Sequence, residues 1–215
     1  MGQKYRLVVF DCDGVLIDIT SSWVWIHQHF GVDNEVSWRQ YDRGEIDGLE
    51  FMKRDIALWH GKRPDVTAED IREILDELPL MKGAEETFTE LKRAGVRTAI
   101  VSGGLDLLVD KVGRMLGADH MYSNRLCTHP DGRLNGEGEL IVEPRDKSPQ
   151  VREVQMKLRV GREATAAVGD TAGDATMFKA ASLGIAFNFC DDIISSSAQV
   201  RIKEKDLTKV LDHLL

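Results

Sequence analysis

Two aspartates one residue apart, in Asp11-Cys12-Asp13-Gly14, directly follow the apolar run Leu7-Val8-Val9-Phe10. A run of that kind predicts a strand buried on both faces of a parallel sheet. In open α/β sheets, ligands gather outside the carboxyl ends of the strands, near the point where strand order reverses. Paired carboxylates at such a place are costly unless a cation, a proton or a hydrogen-bond donor joins them. A dinucleotide-binding turn would carry G-x-G-x-x-G here, and this one does not. Alone, the pair reads equally well as a solvated acidic turn.

Three further groups sit at comparable places. Ser102-Gly103-Gly104 follows the run Thr98–Val101 and opens a helical stripe, where a hydroxyl and backbone N–H groups can meet an anion. The same tripeptide is also an ordinary loop. Gly169-Asp170-Thr171-Ala172-Gly173-Asp174 follows Thr165–Val168 and brings two more carboxylates. Asp174 alone also fits as the acidic partner of a helix dipole. Lys147 precedes Ser148-Pro149, a helix opening at which a lone lysine usually faces solvent. The order decides between these readings: acid pair, Ser-Gly, Lys, acid pair, mostly at strand ends.

The elements that must position these groups alternate in period. Between the apolar runs, which recur at Leu183–Phe187, lie helical stripes: Phe88, Leu91 and Ala94; Leu105, Leu108, Val109, Val112, Met115 and Leu116; Val151, Val154 and Leu158. Strands alternating with helices predict a doubly wound, mostly parallel, Rossmann-like α/β sheet over residues 1–16 and 81–215. Residues 17–80 differ, with 14 acidic and 7 basic residues, all four tryptophans and only helical stripes. They predict a small helical-bundle cap inserted after the first strand, with Trp23, Trp25, Trp38 and Trp59 in its core. Tyr122–Leu126, the turn Pro130-Asp131-Gly132 and Leu140–Val142 predict a hairpin.

Composition removes several classes of function. A net charge of −8 disfavours binding to nucleic acid or to an anionic membrane surface. No stretch has the ~18–20 apolar residues of a membrane span, and no signal peptide opens the chain. Cys12, Cys127 and Cys190 are odd in number and never C-x-x-C, so neither a disulfide framework nor a zinc site is expected. The expected setting is cytoplasmic; the sequence does not give the oligomeric state.

The ordered set resembles the four motifs of the haloacid-dehalogenase (HAD) superfamily, in its phosphoserine-phosphatase-like branch. The resemblance spans nearly the whole chain and includes Gly83-Ala84-Glu85-Glu86-Thr87, Ser123-Asn124-Arg125-Leu126 and Met177-Phe178. It implies a four-helix cap and hydrolysis of a small phosphorylated metabolite. Asp11, Asp13, Asp170 and Asp174 would then converge with a charge of −4; one Mg²⁺, Lys147 and a proton on Asp13 neutralise them. Asp11 is the expected nucleophile and Asp13 the acid and then the base. Ser102, the Gly103 amide and Lys147 would hold phosphate oxygens. Asp11 and Asp170 would ligate the metal, to which the resemblance adds the Asp13 carbonyl, and Asp174 would hold Lys147 or a metal-bound water.

Departures from the pattern concern the substrate. Thr20 stands where the branch usually has Glu, and Asp55 stands at its cap-helix Arg, next to Arg54. Gly173 replaces the Asn of the fourth motif and Thr171 its second Gly, while Asp-Gly-Val-Leu looks more like the phosphoglycolate-phosphatase branch. Thr20 and Arg54 (or Lys53) are the expected contacts for a substrate's ammonium and carboxylate, with phosphoserine first and phosphoglycolate-like acids next. His27 and His29, two residues apart on one helix, are not expected to share a metal. A phospho-accepting signalling domain or a noncatalytic binding domain is the alternative from another class.

Overall fold

The first apolar run forms β1 (Leu7–Phe10), whose four side chains have no solvent exposure. The computed structural model describes residues 4–189 and 191–215; Cys190 lies outside the described residues. Six more strands follow: β2 (Arg97–Leu105), β3 (His120–Thr128), β4 (Leu134–Glu139), β5 (Thr165–Gly169), β6 (Leu183–Phe187) and β7 (Val200–Ile202). Their order is β4-β3-β2-β1-β5-β6-β7, with every neighbouring pair parallel except β3 and β4. Strand order therefore reverses at β1, between β2 and β5, which places the reversal crevice beside Asp11.

The two-residue period of the strands divides the core in two. Val8, Phe10, Ile100 and Val168 face one side, where α5 (Ala84–Arg93) and α6 (Asp106–Leu116) bring Phe88, Leu91, Val109 and Val112. Leu7, Val9, Val101 and Ala167 face the other, covered by Val151 and Val154 of α7 (Ser148–Leu158) and Met177 and Phe178 of α8 (Ala175–Ala180). Between β1 and α5 run α1 (Ser22–Phe30), α2 (Glu35–Asp42), α3 (Gly48–Lys62) and α4 (Ala68–Asp76). Their inner faces bury Ile26, Ile56, Trp59, Ile71 and Leu75 almost completely, each worth roughly 1.5–3 kcal/mol. Thr67 and Asp70 cap α4 reciprocally, as their spacing predicts. The helical segment is tied at its base, where Ile17 bridges Leu80 and the Met81 amide donates to the Leu16 carbonyl at 2.8 Å.

The structure corrects several expectations. The second arm of the hairpin is Leu134–Glu139, not Leu140–Val142. That arm reads Leu-Asn-Gly-Glu-Gly-Glu and buries only Leu134, so it gives no apolar run. Strand β2 continues past Val101 to Leu105, with a register shift against β3 between Val101 and Leu105. The segment that looked like a helix opening is thus an irregular strand end. Helix α2 escapes the periodic reading because it buries only Ser37 and Tyr41. On it, Trp38 is 51% exposed and is not core.

Candidate active site

Lys147 is the centre of charge. Its Nζ lies 2.8 Å from Asp11 Oδ1 and 2.7 Å from Asp174 Oδ1, and all three side chains are buried. The Asp11 amide donates to the Val168 carbonyl at 3.0 Å, holding the residue on the line of β1 and β5. Lys147 is fixed at the start of α7, where its amide donates to Thr176 Oγ1 at 3.0 Å. The second oxygen of Asp174 accepts from the amides of Asp170 (3.0 Å) and Thr171 (3.1 Å). Both Asp174 oxygens are therefore engaged, and the side chain orients Lys147 while shaping the loop after β5.

Asp13 is held differently. Its Oδ2 accepts from the amide and hydroxyl of Ser22 at 2.7 and 2.8 Å, while its buried Oδ1 has no hydrogen-bond partner among the described residues. Burial raises the pKa of Asp13 despite these donors. Burial also raises Asp11 and Asp170, and the like charge of Asp174 adds to both; for Asp170, Asp11 contributes more than Asp174 does. For Lys147, burial opposes the charge, but Asp11 and Asp174 outweigh it and hold the ammonium protonated. Cys12, between the two aspartates, is pushed well above the ordinary thiol range by burial and then by Asp13 and Asp11, so it supplies no thiolate.

The loops leave little freedom around these groups. Gly14 has φ +73°, and a Cβ there would fall 2.0 Å from Asp170 Oδ2. Asn188 closes the same turn by donating to the Gly14 carbonyl at 3.2 Å. Ser102 Oγ accepts from the Gly104 amide at 3.0 Å. The Gly103 carbonyl is turned away onto Trp23 Nε1 (3.1 Å) and Asn124 Nδ2 (3.0 Å). Asn124 also takes the amides of Ile141 and Val142 on its Oδ1, so one buried amide joins the Ser-Gly loop to the segment leading to Lys147. At Gly173 a Cβ would lie 2.4 Å from the Pro144 carbonyl oxygen. That close approach explains glycine in place of the asparagine of the fourth motif.

A cavity of about 350 Å³ opens over these residues. Asp11, Asp13, Ser102, Gly103, Lys147 and Asp170 line its floor, and Thr20, Trp23, Asn34, Trp38 and Asp55 are among the residues of the helical segment that line the rest. Arg54 is not among them: its guanidinium holds Glu50 (2.7 Å) and Gln40 (2.5 Å). Lys53 pairs with Glu137 at 2.6 Å and Asp18 with Lys205 at 2.6 Å, and neither lines the cavity. His27 is buried against Trp59. Sequence reasoning missed Ser22 and Asn34 as contributors and named Asp55 only as a departure from the cap-helix Arg, not as a cavity residue. Their signal was weak, since each is a common polar residue on or beside a helix and only tertiary packing turns it inward.

Asp11, Asp170 and Asp174 offer carboxylate oxygens within 4.8 Å of one another. Asp170 Oδ1 is buried without a hydrogen-bond partner among the described residues. An all-oxygen set with an orphaned buried carboxylate oxygen fits a hard divalent cation. Since Lys147 and backbone amides occupy Asp174, the open oxygens are those of Asp11 and Asp170.

A family model described as haloacid dehalogenase-like hydrolase matches residues 5–182. The chain is 36% identical to the phosphoserine phosphatase of Wolinella succinogenes, over 97% of this chain and all of that one. It is 32% identical to the phosphoserine phosphatase of Methanocaldococcus jannaschii, over the full length of both. Among solved structures, a phospho-aspartyl intermediate analogue of phosphoserine phosphatase superposes with a TM-score of 0.83 at 31% identity, covering 99% of this chain and 100% of that one. A central parallel sheet with strand-end aspartates, matched along the full chain by such relatives, sets aside the signalling and noncatalytic readings. The chain belongs to the haloacid dehalogenase-like hydrolases and is a phosphoserine-phosphatase-like phosphatase.

Proposed function

We propose that this protein hydrolyses a small phosphorylated metabolite with Mg²⁺, in the cytoplasm, through a phosphorylated Asp11, and that phosphoserine, for which its relatives are named, is among the monoesters it accepts. The observation that carries the reading is the buried contact of Lys147 with both Asp11 and Asp174, beside a second carboxyl, Asp13, whose protonated form burial favours. Asp11 attacks phosphorus as the bond to the substrate's alcohol oxygen breaks, and Asp13 gives that oxygen its proton. Asp13, now ionised, takes a proton from the water that attacks the acyl phosphate, which returns Asp11 and releases inorganic phosphate. Lys147, held protonated, and the Ser102 hydroxyl stabilise the phosphoryl oxygens. Asp11 and Asp170 would hold the Mg²⁺, which when bound neutralises charge on the phosphoryl group. Helices α1–α3 supply the cavity wall that excludes bulk water.

The test is a panel of phosphate monoesters assayed with Mg²⁺ and with EDTA, together with acid-quenched mass spectrometry of the protein. A phosphoryl adduct on the peptide holding Asp11, appearing within one turnover, supports the reading. Rapid hydrolysis by folded Asp11→Asn protein refutes it.

A further inference from the structure

The floor of the cavity accounts for the phosphate, but the rest of it has a charge of its own. Asp55 lines the cavity and is 2% exposed. Asn34 Nδ2 donates to its two oxygens at 3.0 and 3.1 Å, and His27 Nε2 stands 3.4 Å from Oδ2. Trp59 Nε1 donates to His27 Nδ1 at 2.8 Å, so that nitrogen serves as an acceptor, and His27 Nε2 makes no hydrogen bond to Asp55. The adjacent Arg54 is tied to Glu50 and Gln40, away from the cavity. Among the described residues lining the cavity, Lys147 is the one Lys or Arg, and it is held by Asp11 and Asp174.

A buried carboxylate without a cation is unfavourable, and a bound ligand that brings the cation relieves it. Aromatic side chains complete the surroundings: Trp23, Trp38, Tyr41 and Phe51 line the same cavity. Ring faces attract ammonium groups; Tyr41 already carries the Arg145 guanidinium and stacks on Phe51, so the half-exposed Trp38 is the ring that can receive one. A carboxylate on the substrate's alcohol would meet the like charge of Asp55 and, among the residues lining the cavity, no Lys or Arg besides Lys147. Resting on the hydrolytic reading above, we propose that the preferred substrates are phosphate monoesters of amino alcohols, carrying an ammonium group and no carboxylate, with Asp55 as the partner of the ammonium. The amine takes no part in the chemistry; the phosphorus–oxygen bond breaks and the amino alcohol leaves with the proton from Asp13.

The experiment compares kcat/KM with Mg²⁺ for 2-aminoethyl phosphate, its N-trimethyl analogue, phosphoserine, phosphoglycolate and propyl phosphate. The wild-type protein should favour 2-aminoethyl phosphate over phosphoserine by about tenfold or more, as expected when one site charge attracts one ligand and repels part of the other. Asp55→Asn should lower kcat/KM for both ammonium substrates by roughly ten- to hundredfold, mostly through KM, the loss of a charge-assisted contact. The loss on propyl phosphate should be at least about fivefold smaller than on the ammonium substrates. Trp38→Ala, at a half-exposed site where folding is not at stake, should cost the ammonium substrates roughly two- to tenfold. A wild-type preference for phosphoserine, or an equal loss on ammonium and propyl substrates in Asp55→Asn, overturns the assignment while leaving the hydrolytic reading intact. Failure of the folded wild-type protein to hydrolyse any member of the panel overturns both.

Discussion

Asp170→Asn exposes how the carboxylate cluster ties stability to pH and metal. In the metal-free protein, burial and then the neighbouring Asp11 and Asp174 raise the pKa of Asp170. The native state then holds a proton that the unfolded chain releases near pH 4. A folded pKa above the unfolded one gives stability that is full at low pH and erodes as pH rises through the folded value. One retained proton makes the slope about 1.4 kcal/mol per pH unit. Between pH 5 and 7 that amounts to about 3 kcal/mol, or roughly 6–12 °C in Tm for a chain of this size. The amide of Asp170→Asn keeps the shape, carries no such proton and removes part of the repulsion on Asp11. His120, whose pKa burial and then Lys157 lower, contributes with the opposite sign, but equally in both proteins. The assay is a Tm series in EDTA for wild type and variant, with the difference plotted against pH. Saturating Mg²⁺, at about one hundred times its Kd, should restore about 2.7 kcal/mol to the wild type and flatten its slope. Parallel curves in EDTA, or a wild-type slope unchanged by Mg²⁺, refute the reasoning.

Asp11→Asn should cut turnover by at least about a thousandfold with the Tm preserved, because an amide cannot attack phosphorus; steady-state kinetics and a melting curve check both. Lys147→Met leaves Asp11 and Asp174 buried without their cation and should cost about 3–5 kcal/mol in urea unfolding. Gly173→Ala drives a Cβ to 2.4 Å from the Pro144 carbonyl and should destabilise by about 1–3 kcal/mol, measured the same way, while lowering kcat through displacement of the adjoining Asp174. Thr20→Glu adds a carboxylate to the cavity wall and should shift kcat/KM toward phosphoserine relative to phosphoglycolate, read by direct competition of the two.

The phosphate end of the site was legible because its residues sit where buried strands stop. β1 has no polar residue and β5 only Thr165, and Asp11 and Asp170 follow them directly, so the strand pattern drew attention to these aspartates, while their roles came from the resemblance. The alternation of strands and helices fixed the doubly wound sheet for the same reason. What escaped reading lacks periodicity or depends on packing. β4 carries two glycines and two glutamates, and β7 is three residues long. α2 leaves Val36 74% exposed, so its register against the cavity is set by Tyr41, which stacks on Phe51 and reaches Glu143. Asn124 entered only as one residue of the Ser123–Leu126 resemblance; its importance comes from four hydrogen bonds to two segments distant in sequence, Gly103 and Ile141–Val142.

Charge also orders the binding events. With Asp13 and Asp170 protonated and Lys147 charged, Asp11 and Asp174 leave the metal-free floor at a net −1, which disfavours a phosphate dianion, and a cation on Asp170 displaces its proton. A divalent cation on Asp11 and Asp170 brings the floor to neutrality, so phosphate affinity must depend on the cation and, by linkage, cation affinity on phosphate. The remaining carboxylate, Asp55, is untouched by that exchange because it belongs to the helical wall. An ammonium on the leaving alcohol would neutralise it within the same ligand. The floor therefore selects for the reaction and the wall for the alcohol, and the two selections rest on different elements: strand ends for the first, helices α1–α3 for the second. Substitutions along the inner faces of those helices can redirect the substrate without disturbing the Lys147 ion pairs, because no residue of α1–α3 contributes to them.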